Sequence, residues 1–93
     1  MHILIVEDTI IAQMVLKKEM LEEGCMVNVA SDGNEALQKT MQTQYDFILM
    51  DVGLGDGPNG FEATTLIKQQ SELNKATPVF VTTNLLYVGS LSV

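Results

Sequence analysis

Three short apolar runs share one pattern along the chain. Ile3-Leu4-Ile5-Val6 ends in Glu7-Asp8, Phe47-Ile48-Leu49-Met50 ends in Asp51, and Val79-Phe80-Val81 ends in Thr82-Thr83. Continuous runs of this length, rich in branched residues, predict strands buried on both faces, as in a parallel sheet covered by helices. A weaker fourth strand is expected at Met26–Ala30, where Val27 and Val29 alternate with polar or small residues.

Between the strands the period lengthens. Residues 9–23 place Ile11, Met14, Val15 and Leu21 roughly on one helical face, with Gly24 as a stop. Residues 33–43 bring Ala36, Leu37, Thr40 and Met41 together, and residues 60–70 form a third helix. Asp32 with Glu35, and Asn59 with Glu62, have the spacing of a cap and its partner. The predicted order is therefore β-α-β-α-β-α-β, an open, doubly wound parallel sheet with right-handed crossovers. There is no repeat, linker or low-complexity tract. Residues 84–93 are apolar without a helical period, and residues 85–93 read as an atypical tail after a domain spanning 1–84.

Composition narrows the function. The chain has 93 residues, enough for one domain. Its five basic residues are all lysine against 12 acids, a net charge of −7. That excludes the clustered positive charge on which phosphate-backbone contact with nucleic acid depends, and it disfavours a basic membrane-binding patch. The first apolar run is too short for a signal-peptide core or a bilayer span. A cytoplasmic protein is expected, its single Cys25 reduced. Cys25 and the six methionines read most simply as core or edge packing, and His2 as structural.

In open α/β sheets ligands bind beyond the carboxyl ends of the strands. Glu7, Asp8, Asp51 and Thr82 all stand at such ends. If the first and third strands are neighbours, Glu7, Asp8 and Asp51 meet, and like charges so close call for a cation. Oxygen donors of this kind suit Mg²⁺. A neutralised carboxylate beside a hydroxyl is equipment for phosphoryl transfer. Asp32, Asp46 and Asp56 lack this placement and read as turn or capping residues.

Five stretches now carry a resemblance: Ile3–Asp8, Ala30-Ser-Asp-Gly-Asn-Glu-Ala-Leu37, Tyr45-Asp-Phe-Ile-Leu-Met-Asp51-Val, Gly60-Phe-Glu-Ala63 and Pro78-Val-Phe-Val-Thr-Thr-Asn84. Over residues 1–84 the chain resembles the receiver domain of two-component response regulators and hybrid histidine kinases, a flavodoxin-like fold. The resemblance implies that Asp51 is the phosphoacceptor, taking its phosphoryl group from a sensor histidine kinase or a histidine phosphotransfer protein. Asp8 would hold Mg²⁺ directly, Glu7 would act on its water shell, and the Gly53 carbonyl would be a backbone ligand. Thr82 would contact the phosphoryl oxygen and shift with it.

The sequence departs from the family at several points. Gly55 stands four residues after Asp51, where the family usually has proline, and the loop to Gly60 is one residue longer than the commonest form. The family continues through a further helix, a strand ending in lysine and a last helix, whereas every lysine here lies at or before Lys75. The chain reads as about a quarter short of a complete module. Strand four would then be an exposed apolar edge, so that residues 85–93 are expected to form an edge strand or an intermolecular contact, a route to self-association. Phosphorylation without the lysine should be slow or absent, which makes a phosphotransfer-deficient interaction module the alternative. A haloacid-dehalogenase-like phosphatase is a further alternative, disfavoured because position 53 is glycine where that enzyme needs a second aspartate. Gly55-Asp-Gly-Pro-Asn-Gly60 matches a dinucleotide-binding motif in letters only: it begins four residues past the strand, among carboxylates that would repel a pyrophosphate.

Overall fold

A computed structural model of the chain describes residues 1–55, 57–83 and 86–91, with Thr83 and residues 86–91 described by their backbone alone. The elements are β1 (His2–Val6), α1 (Ile10–Glu22), β2 (Met26–Ala30), α2 (Gly33–Gln42), β3 (Phe47–Asp51), α3 (Gly60–Gln70), β4 (Val79–Thr83) and β5 (Leu86–Leu91). The sheet order is β2-β1-β3-β4-β5. The first four strands pair in parallel, as the apolar runs predict. β5 pairs antiparallel with β4 at the edge of the sheet, an edge strand where one was expected. Asp56, Asn84, Leu85 and the last two residues of the tail lie outside the described residues.

The strands are apolar throughout because both faces of the sheet are covered. Leu4, Val6, Ile48, Met50 and Val79 point to one side, where they pack with Ala36, Tyr45, Ala63 and Ile67 beneath α2 and α3. Ile3, Ile5 and Leu49 point to the other, where Leu16 and Met20 of α1 lie against them. Each fully buried Ile or Leu in these runs contributes about 1.5–3 kcal/mol. The α1 side is incompletely covered: a cavity of about 510 Å³ remains there, lined by Leu16, Met20, Phe47, Leu49, Phe80 and Thr82 among others.

The sheet-facing stripe of α1 differs from the expected one. Ala12 is buried and Leu16 and Met20 follow at intervals of four, while Ile11, Met14, Val15 and Leu21 are exposed. The helix carries apolar residues nearly all round, so periodicity alone does not select its inner face. Nor are the methionines uniformly core: Met50 is buried, whereas Met1, Met14, Met26 and Met41 are exposed.

The helix ends follow local chemistry. Gly24, at φ +84°, ends α1 with its amide on the Leu21 carbonyl and the Cys25 amide on that of Met20, the paired bonds of a Schellman turn. At α3 the Asn59 side chain accepts from the Glu62 amide at 2.9 Å and the Glu62 carboxylate accepts from the Asn59 amide at 3.0 Å, a complete capping box. At α2 only half of that box forms: Asp32 accepts from the Glu35 amide, but the Glu35 carboxylate takes the Ser31 amide at 2.6 Å.

The far end of α2 rests on a residue without any sequence signal. Asn74, fully buried, donates to the Thr40 and Thr43 carbonyls at 2.7 Å and accepts from the Tyr45 amide at 2.8 Å. Ser71 and Thr77 complete this network, which satisfies the carbonyls at the close of α2 and fixes the entry to β3. Asp46 anchors the same end of the sheet by accepting from the His2 amide at 2.6 Å, and the His2 ring lies edge-on to Tyr45.

Candidate functional site

The parallel register brings the strand ends together. Val6 pairs with Met50 and Asp51 with Thr82, so Glu7 and Asp8 leave β1 beside the last residue of β3. One carboxylate oxygen from each of Glu7, Asp8 and Asp51 lies within 4.8 Å of the others. Glu7, Asp51 and Thr82 are buried and Asp8 is exposed, so the cluster opens outward on the Asp8 side.

Backbone groups aim each carboxylate. The Thr9 amide donates to Glu7 Oε1 at 3.0 Å, the Gly53 amide to Asp51 Oδ1 at 3.1 Å and the Gly55 amide to Asp8 Oδ2 at 3.1 Å. Gln13, on the first turn of α1, donates to the Glu7 carbonyl at 2.6 Å and ties the helix start to the site. Gly60 is required where α3 begins, because a Cβ there would collide with the Asp51 carbonyl oxygen.

The charges are not balanced within the protein. Burial pushes the Glu7 carboxyl up to about 7, against the lowering effect of the Thr9 amide, and the Asp51 charge with hydrogen bonding to Asp51 and Asp8 adds to the rise. Among the described residues the ion pair present, Lys75 with Glu72, is exposed and far along the chain from the site. Three carboxylates without a cationic partner among the described residues, one of them pushed up chiefly by burial, fit a hard divalent cation. The three carboxylates expected from the sequence thus come together here, and Thr82 stands in register beside Asp51. What sequence reasoning missed is the Gly55 amide, a donor that only the folded loop reveals.

A parallel sheet of order 2-1-3-4 with a carboxylate cluster at its C-terminal edge is a flavodoxin-like α/β domain with its site at the usual position. The sequence profile of the response regulator receiver domain matches residues 3–86, and the chain belongs to that family. It is 40% identical over 73 residues to the response regulator mcs4 of Schizosaccharomyces pombe, covering 78% of this chain and 14% of that protein. It is 34% identical over 84 residues to the sensor histidine kinase AruS of Pseudomonas aeruginosa, covering 89% of this chain and 8% of the kinase. Among solved structures, the receiver domain of the Pseudomonas aeruginosa sensor histidine kinase PA1611, with magnesium coordinated in its active-site cleft, superposes with a TM-score of 0.82. It is 33% identical, over 94% of this chain and 70% of that one. The response regulator TrrA of Thermotoga maritima, in complex with magnesium and BeF, gives 0.79 at 30% identity, over 88% of this chain and 68% of that one. The chain thus spans a small part of the relatives' length. The phosphatase reading is not favoured by these matches. Among the described residues no helix is long and apolar enough to cross a membrane.

Proposed function

We propose that this chain is a phosphoacceptor receiver module, a signalling domain rather than a turnover enzyme. Asp51 takes a phosphoryl group from the phosphohistidine of a sensor kinase or of a histidine phosphotransfer protein. The observation that carries this reading is the meeting of Glu7, Asp8 and Asp51 oxygens within 4.8 Å, with Thr82 in register beside Asp51.

In the reaction a carboxylate oxygen of Asp51 attacks phosphorus, the P–N bond of the phosphohistidine breaks, and the imidazole leaves with the electron pair and takes up a proton. The Gly53 amide on Asp51 Oδ1 orients the attacking carboxylate. Asp8, Asp51 and the Gly53 carbonyl would hold Mg²⁺ directly in this reading, and Glu7 would act on its water shell. When bound, the ion would supply neutralisation of the carboxylates and of the developing phosphoryl charge. The Thr82 hydroxyl donates a hydrogen bond to a phosphoryl oxygen on the β4 side and moves with it, a local charge event that biases a two-state element. Support for a kinase or phosphotransfer partner comes from relatives that are themselves sensor histidine kinases. β5 has β4 as its neighbour in the sheet, and self-association, if it occurs, would run through the other edge of β5, measurable by sedimentation equilibrium.

Incubation with Mg²⁺ and a small phosphodonor, read by intact mass, tests the assignment. Wild type should gain one phosphoryl group, slowly because the lysine that the resemblance leads one to expect is missing from the sequence, and Asp51→Asn none. Equal masses for the two proteins would remove Asp51 from the role.

A further inference from the structure

The Gly55 amide has no part in the phosphoacceptor chemistry described above, yet it donates to Asp8 Oδ2 at 3.1 Å across 47 residues of sequence. Asp8 is the exposed member of the cluster and lacks the burial that holds Glu7 and Asp51 in place. Its other side-chain contacts are with the Glu7 carboxyl and, at 3.4 Å, with the hydroxyl of its neighbour Thr9. The loop after β3 therefore supplies the restraint on this carboxylate that comes from outside its own strand end. We infer that Gly55 is a positioning residue for the metal site: its backbone N–H holds Asp8 Oδ2, turns Oδ1 toward the cation, and couples the β3–α3 loop to metal binding. The inference rests on the functional reading above.

Two features of position 55 make the bond available. A proline, the residue expected there from the resemblance, has no N–H to donate. A side chain would also crowd the acceptor, since a Cβ on residue 55 would stand 3.2 Å from Asp8 Oδ2. A carboxylate oxygen has two lone pairs, so Oδ2 accepts the amide without withdrawing Oδ1 from a metal. Groups that orient a metal ligand in this way typically govern affinity by 10- to 100-fold. Coupling runs both ways: a cation that fixes Asp8 also fixes the loop.

The test compares Gly55→Pro, which removes the donor, with Gly55→Ala, which keeps it. Mg²⁺ affinity is measured by calorimetry on the full chain. Gly55→Pro should bind Mg²⁺ about tenfold more weakly, while Gly55→Ala, in which a small shift of the flexible Asp8 side chain relieves the contact, stays close to wild type. A second measurement needs no metal. In EDTA, Gly55→Pro should lower the melting temperature more in the wild type than in an Asp8→Ala background, and this cycle cancels the effect of proline on the unfolded chain. Binding by wild type with equal affinities for the Pro and Ala variants, or a cycle without coupling, overturns this inference alone. Failure of wild type to bind Mg²⁺ overturns the functional reading and this inference with it.

Discussion

Glu7 is the residue on which the electrostatics of the site are most exposed. Its carboxyl, raised to about 7 chiefly by burial, binds a proton in the folded chain at pH values where the unfolded chain has released it. The folded state then holds more protons than the unfolded one between about pH 4.5 and 7, so stability falls as pH rises through that window. Thermal melts in EDTA across the window should show this decline from the Glu7 contribution, and Glu7→Gln should flatten it. A cation reverses the preference, because it favours the charged carboxylates. Mg²⁺ should therefore raise the melting temperature more at pH 8 than at pH 6. An equal Mg²⁺ effect at both values would mean that Glu7 does not feel the bound ion.

At the scale of elements, the site depends on supports that carry no chemistry. α3 starts directly against the end of β3, where Gly60 leaves no room for a Cβ beside the Asp51 carbonyl. Gly60→Ala should cost about 1–3 kcal/mol by overpacking, seen in denaturant melts, and should slow phosphorylation by displacing Asp51. At the opposite end of the sheet, Asn74→Ala would strand the Thr43 carbonyl and the Tyr45 amide and leave the Thr40 carbonyl to Ser71 alone. A loss of about 2–3 kcal/mol is expected, with Asp51 chemistry retained in the folded fraction because the network lies away from the strand ends that form the site. A loss below about 0.5 kcal/mol, the range of ordinary surface changes, would contradict the supporting role of Asn74.

The same elements show what the sequence can and cannot reveal. The strands were legible because burial on two faces demands continuous apolar residues, and the site because each run stops at a carboxylate or hydroxyl. The inner face of α1 was not, because Ile11, Met14, Val15 and Leu21 are as apolar as the residues that face the sheet. Asn74 was invisible because a buried polar residue is defined by partners distant in sequence. Gly55 stood out as a departure in kind, but its bond to Asp8 exists only once β1 and β3 lie side by side.

For the molecule as a whole, the net charge is −7, and the fold accepts local repulsion where Glu7, Asp8 and Asp51 meet. Two helices lie on one side of the sheet and one on the other, leaving the cavity bordered by Phe47, Leu49, Phe80 and Thr82. Thr82 thus stands in register with Asp51 and also lines this open face, so an event at Asp51 has a short physical route to that surface. All of this rests on Asp51 receiving phosphorus with the help of an ion held by its neighbours. The most direct measurement is chemical mapping: phosphodonor treatment with and without EDTA, borohydride reduction of the acyl phosphate, and peptide sequencing by mass spectrometry. The predicted result is homoserine at position 51 alone, formed with Mg²⁺ and lost with EDTA; reduction at another carboxylate, or labelling indifferent to EDTA, would contradict it.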